Sequence, residues 1–249
     1  MLEGIVFLFG LVIGSFLNVV IDRLPLGENI VWERSRCDFC KKKLRWYELI
    51  PVVSYVVLGG RCLRCKKRLS PQYPVVELVS GVGFVFLFLR AQSSVSFVLS
   101  TMIFCLLLAF FVIDIKHQIL PDQIMIALFL GIATMAYFVS PEQRIANFWA
   151  GIGAGMFFLL LWLITKGRGI GFGDVKLSFL LGFLLGYPGI IIGLYIAFLT
   201  GAIAGVILIM SRRAKMKSRI AFGPFLIIGA AAASLWGEKI WEVWQSLLI

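Results

Sequence analysis

Residues 171–210 read GFGDVKLSFLLGFLLGYPGIIIGLYIAFLTGAIAGVILIM. From Leu177 to Met210 the stretch carries no charged residue. One membrane crossing by a helix takes about 20 apolar residues, so this run is too long for a single span. The "GYPG" at 186–189 can reverse the chain. The run therefore reads as two spans, 176–187 and 189–210. Just before the first stands Asp174, preceded by Gly169, Gly171 and Gly173.

The rest of the chain extends this pattern. It has 249 residues and is 60% hydrophobic, against about 45–50% for soluble domains. Further apolar runs lie at 4–21, 75–92, 95–113, 123–139, 147–165 and 220–236. The expected fold is an all-α polytopic membrane protein with about eight transmembrane helices. The first run has no basic residues before it and no small-residue cleavage site after it, so it reads as a retained span and not a removed signal peptide.

Charge sets the orientation. With the amino terminus outside, the cytoplasmic segments are 22–74, 114–122, 166–176 and 211–219. All of the 24 Lys and Arg except Arg90, Arg144 and Lys239 then lie on the cytoplasmic side, as the positive-inside rule requires. If 176–187 did not cross, the basic stretch "SRRAKMKSR" (211–219) would fall outside. The net charge of +11 then needs no nucleic acid, since topology and attraction to anionic headgroups account for it.

The expected organisation is a first span (1–21), a cytoplasmic loop (22–74) and a membrane domain of about seven spans (75–249). The loop contains "CDFC" (Cys37, Cys40) and "CLRC" (Cys62, Cys65). Two Cys-x-x-Cys pairs at this separation are the pattern of a four-thiolate zinc site. A reducing cytosol argues against structural disulfides. Four sulfur ligands leave no open position, so the metal would be structural. It would also stabilise a loop with too little apolar material to fold alone. Cys105 lies mid-span and reads as packing.

Three carboxylates fall at the cytoplasmic ends of spans. Asp122 follows Pro121 and reads as a helix cap. Asp174 could cap too, but three glycines exceed what a cap needs. Asp114 closes a span, where the helix dipole disfavours it. Ionisable groups near bilayer depth are costly and usually functional. Two aspartates from different helices can share one proton, one activating water and the other polarising a peptide carbonyl. The glycines would let an extended polypeptide approach the backbone beside the acid. Lys116 and Lys176 read as snorkelling anchors, and His117, the single histidine, as an interfacial residue.

The ordered set of motifs resembles the bacterial type IV prepilin peptidases, membrane aspartyl proteases of the Gly-x-Gly-Asp class. The motifs are "GSFLNVVIDRLP" (14–25), the two cysteine pairs with "IPVVSY" and "GGRC" between them, "SPQYPVVEL" (70–78), "DIKHQILPD" (114–122), "GFGDVKL" (171–177) and "AFGPFLIIGA" (221–230). The resemblance implies cleavage of the basic leader of prepilins and pseudopilins at the cytoplasmic face of the inner membrane. It places Asp114 and Asp174 as the catalytic pair, with Gly171, Gly173 and Lys176 as the adjoining substrate loop. It also implies N-methylation of the new terminus with S-adenosylmethionine, for which Gly14, Asn18 and Glu77 are candidates. A glycine-rich nucleotide-binding turn of the soluble kind is absent. Three rival readings stand beside it, one of them a non-enzymatic secretion scaffold held by the zinc loop. A presenilin-like protease would carry Pro-Ala-Leu where "FGP" stands. An ion-coupled transporter would place its acids near midplane and show internal repeats.

Overall fold

In the computed structural model, residues 1–30, 32–33, 35–37, 39–139, 141–167, 169–211 and 221–248 are described. Arg168 and most of the basic stretch 211–219 lie outside them, as does Asp38 between the first two cysteines. The described residues form nine α-helices and no extended sheet. They are α1 (Leu2–Arg23), α2 (Val53–Val57), α3 (Gln72–Arg90), α4 (Ser94–His117), α5 (Asp122–Phe138), α6 (Arg144–Thr165), α7 (Phe172–Leu185), α8 (Gly189–Met210) and α9 (Gly223–Leu248). All except the short α2 coincide with the eight expected apolar segments. Five of them, α1, α3, α4, α6 and α8, are long and apolar enough to cross a membrane.

The ends differ where charge and helix part company. The last helix was expected to stop at 236 but runs on to Leu248. Glu238, Lys239 and Glu242 break the apolar run there without breaking the helix. Likewise α7 begins at Phe172, four residues before the expected 176, because Asp174 supplies an acceptor for its first turn.

The chain packs as two compact units, Met1–Ala109 and Phe110–Ile249, with α4 running across the division. In the first, α1 lies along α3. A Cβ on Gly14 would come within 2.7 Å of the Glu77 Cα, and one on Gly10 within 2.8 Å of the Gly81 Cα. Between lipid-exposed helices such small residues allow the close approach that van der Waals packing needs. After α1, the buried Arg23 guanidinium donates to the Asn29 and Glu33 carbonyls, each at 2.9 Å, and folds the chain into the loop.

In the second unit α7 is central and packs against α5, α6, α8 and α9. Leu177, Ser178 and Leu181 are fully buried on it. Phe148 meets Phe179 and Phe183 edge to face at 5.9 and 5.6 Å, a favoured aromatic geometry. The expected turn at 186–189 is present. Gly186 has φ +65, a left-handed conformation, and Tyr187–Pro188 is cis. Helices α8 and α9 meet through small residues, with Gly229 against the Gly193 carbonyl and Ala197.

Candidate active site

Asp114 sits in the last turn of α4, and Asp174 is the third residue of α7. Both are buried, at 5% and 6% exposure. The Gly171 N–H donates to Asp174 Oδ2 at 3.0 Å. This is the reciprocal half of a capping box, and it fixes the carboxylate against the start of its own helix. Asp174 is thus a helix-start residue whose carboxylate is held by the Gly171 N–H.

The two carboxylates meet at Gly223, the first residue of α9. A Cβ built there would fall against Asp114 Oδ2 and 3.6 Å from Asp174 Oδ1. They are close enough for their charges to act on each other. Asp114 Oδ2 is buried and has no hydrogen-bond partner among the described residues. A buried carboxylate oxygen without a partner is costly. Here it faces a second acid, which is where a shared proton or a bound water would satisfy it. The site thus takes one acid from each of two helices and clearance from a third. The contribution of Gly223 was missed in the sequence, although it lies in the quoted "AFGPFLIIGA". A glycine required by a tertiary approach has no local signature.

The residues flanking Asp174 behave differently from one another. Gly171 is exposed at an ordinary φ of −75. Gly173 is half-buried, and a Cβ on it would come within 2.9 Å of Leu120 Cδ1, so its smallness serves packing against the segment before α5. Lys176 was expected to snorkel. Instead its Nζ lies 2.6 Å from Asp122 Oδ1, tying α7 to the start of α5. Asp122 is the first residue of α5, whose N-cap is Pro121, and no side-chain capping bond forms there. The expected cap is replaced by the ion pair. His117 is exposed at the end of α4.

Cys37, Cys40, Cys62 and Cys65 come together as free thiols, their Sγ atoms within 4.8 Å of one another. Cys37 Sγ and Cys65 Sγ are 3.9 Å apart. Four sulfurs at about 2.3 Å from a tetrahedral zinc would stand near this spacing, so the residues fit the metal. Burial pushes the Cys37 thiol up to about 11, while the Cys65 backbone N–H pulls Cys62 down to about 7. The two halves are copies of each other. "RCDFCKKKL" (36–44) and "RCLRCKKRL" (61–69) repeat the cysteines and the basic tail, with Arg68 standing where the first has Lys43. In each, the first cysteine N–H bonds the carbonyl five residues on, Lys42 or Lys67, at 3.0 Å. In each, the residue after the second cysteine is left-handed, Lys41 at φ 55 and Lys66 at φ 58. This internal repeat was readable and went unread.

Gly14, Asn18 and Glu77 do come together, on α1 and α3. Asn18 Nδ2 donates to the Gly14 and Tyr73 carbonyls at 3.3 and 3.1 Å, and its Oδ1 accepts from Gln72 at 3.2 Å. Glu77 Oε2 accepts the Val52 N–H at 2.7 Å. Gly14 is filled by Glu77 and Ser80. As placed, the trio braces α1, α3 and the segment at Val52 through these bonds.

Comparison with known proteins gives the same partition. Residues 8–91 match the Bacterial Peptidase A24 N-terminal domain, and residues 101–206 match the Type IV leader peptidase family. A prepilin leader peptidase/N-methyltransferase of Bacillus subtilis (strain 168) is 33% identical over 95% of each chain. One of Pseudomonas aeruginosa is 35% identical over 94% of this chain and 90% of its own. One of Pseudomonas putida is 33% identical over 96% and 92%. No solved structure matches significantly. The chain belongs to the type IV leader peptidase family.

Proposed function

We propose that the protein is a membrane aspartic endopeptidase that removes the basic leader from type IV prepilins and pseudopilins, and that it N-methylates the new amino terminus. The observation that carries the peptidase reading is the buried pair Asp114 and Asp174 facing Gly223, with Asp114 Oδ2 unpartnered among the described residues. In the mechanism the ionised carboxylate takes a proton from water as its oxygen bonds the scissile carbonyl carbon. The protonated carboxyl donates to the carbonyl oxygen. The resulting gem-diol collapses as one hydroxyl returns its proton to the second carboxylate, the C–N bond breaks, and the proton held by the first acid passes to the leaving amine. General acid–base steps of this kind are worth roughly 10²–10⁴-fold each.

Asp174 is held ready by the Gly171 N–H, and Gly223 keeps a side chain out of the space between the acids. Gly171, Gly173 and Lys176 lie beside the acid, where an unwound substrate strand would pass. The Lys and Arg distribution supports a site at the inner face of the cytoplasmic membrane. Cys37, Cys40, Cys62 and Cys65 would hold zinc as a structural cross-link between the two repeated turns. S-adenosylmethionine would supply the methyl group. That half of the proposal is supported by the relatives' names alone.

The test is co-expression with a prepilin. The wild-type chain should convert it to mature, methylated pilin. Asp114→Asn and Asp174→Asn should each leave the precursor at full length while accumulating in the membrane. Full processing by either variant refutes the dyad.

A further inference from the structure

Between the two cysteine turns, residues 46–57 expose apolar side chains outside any candidate span. Trp46 is 78% exposed, Val56 68% and Val57 76%, and Leu49, Ile50 and Val53 are exposed beside them. The segment is ordered. Glu48 Oε2 accepts the Arg45 N–H at 2.7 Å and closes the turn Trp46–Leu49. In α2, Val53, Val56 and Val57 share one face at helical spacing. On the other side, Tyr55 turns inward, with its hydroxyl 3.4 Å from the Leu69 carbonyl and its ring against Gly60. The valines are therefore the outer face of a helix whose inner face is packed.

Two further observations say what covers that face. The first is depth. The Val52 N–H is bonded at 2.7 Å to Glu77, the sixth residue of the membrane helix α3. Glu77 is two residues past the start of the expected span at 75, about 3 Å at 1.5 Å rise per residue, so the bond ties the segment to the membrane boundary, where interfacial helices lie. The second is charge. The turns on either side carry Lys41, Lys42, Lys43, Lys66, Lys67 and Arg68, all exposed. Basic side chains flanking an apolar face with a tryptophan complement anionic headgroups. They also disfavour a basic leader as the occupant.

We propose that the cysteine loop docks on the bilayer. The outer face of residues 46–57 enters the boundary between headgroups and acyl chains, and the repeated basic turns contact anionic headgroups. The loop is then held at both ends by membrane helices and in the middle by lipid. This placement is independent of the catalytic reading.

The test uses the full chain in nanodiscs of phosphatidylcholine, with or without phosphatidylglycerol. Trp46 fluorescence is taken as the difference between wild type and Trp46→Phe. A lipid bearing a nitroxide at the top of its acyl chain should quench this component, and aqueous acrylamide should not. Val53→Ser/Val56→Ser/Val57→Ser should reverse both responses while the tetracysteine metal and prepilin cleavage are retained. Replacing Lys41, Lys42 and Lys43 by Gln should weaken lipid quenching in the phosphatidylglycerol discs and leave the phosphatidylcholine discs unchanged. Acrylamide access equal to that of free tryptophan overturns the proposal. So does shielding from both quenchers, which would assign the face to a protein. Equal quenching in the two lipids overturns the anionic part.

Discussion

Replacing Gly223 by Ala should separate folding from catalysis. The added Cβ would sit within contact of Asp114 Oδ2, 3.3 Å from Asp114 Cγ and 3.6 Å from Asp174 Oδ1. An ordinary carbon–oxygen contact is about 3.3–3.6 Å, so the Asp114 carboxylate must give way by about 1 Å. It can do so by rotating, because a side chain and not backbone is in the way. The fold should survive, since the obstacle is a side chain at the first position of α9 and not packed backbone. Catalysis should not, because a misplacement of about 1 Å costs on the order of 10²-fold, or about 2.7 kcal/mol of barrier. The assay is cleavage of a prepilin by purified protein in detergent, with thermal unfolding measured on the same samples. The expected result is a retained cooperative unfolding transition and a fall of about 10²-fold in kcat. Cleavage within a few-fold of wild type would refute the reasoning that both acids need the clearance at Gly223.

Three other perturbations follow from the packing. Gly229→Ala would drive a methyl into the Gly193 carbonyl and against Ala197. Here backbone is in the way, so α8 and α9 should separate and the protein's membrane accumulation should fall, as read by immunoblot. Asp122→Asn weakens an ion pair with Lys176 whose members are exposed. Such pairs are worth about 0–1 kcal/mol, so unfolding should shift little and prepilin cleavage should persist. Metal analysis of the purified chain should find about one zinc per chain. Replacing Cys37 and Cys40 by Ser should release it, as should acidification, because protons compete with the metal for thiolate.

The helices were legible because bilayer thickness imposes a length on every apolar run. Hence 189–210 was placed to the residue, while α9 was cut short where its charges begin. The chemistry of the site was half legible. Asp114 stood out as an acid at the wrong end of a helix, and Asp174 as an acid behind too many glycines. What those glycines do was not legible, since Gly173 answers to Leu120, more than fifty positions away. The Lys176–Asp122 pair also joins distant positions, so Asp122 looked like a cap and Lys176 like an anchor. Gly14, Asn18 and Glu77 share a neighbourhood as expected, but the hydrogen bonds that occupy them depend on Val52 and Gln72. The duplicated cysteine turn is the opposite case. It is written plainly at 36–44 and 61–69, because each turn is built from local residues at fixed offsets from its cysteines.

The most direct measurement is mass spectrometry of a prepilin incubated with the purified protein and with its Asp114→Asn and Asp174→Asn variants, all shown to be folded. The wild-type chain should release the leader as a free peptide and leave mature pilin, and neither variant should release any. Leader release by either variant at a rate near wild type would contradict a mechanism in which these two carboxylates activate the water and polarise the peptide bond.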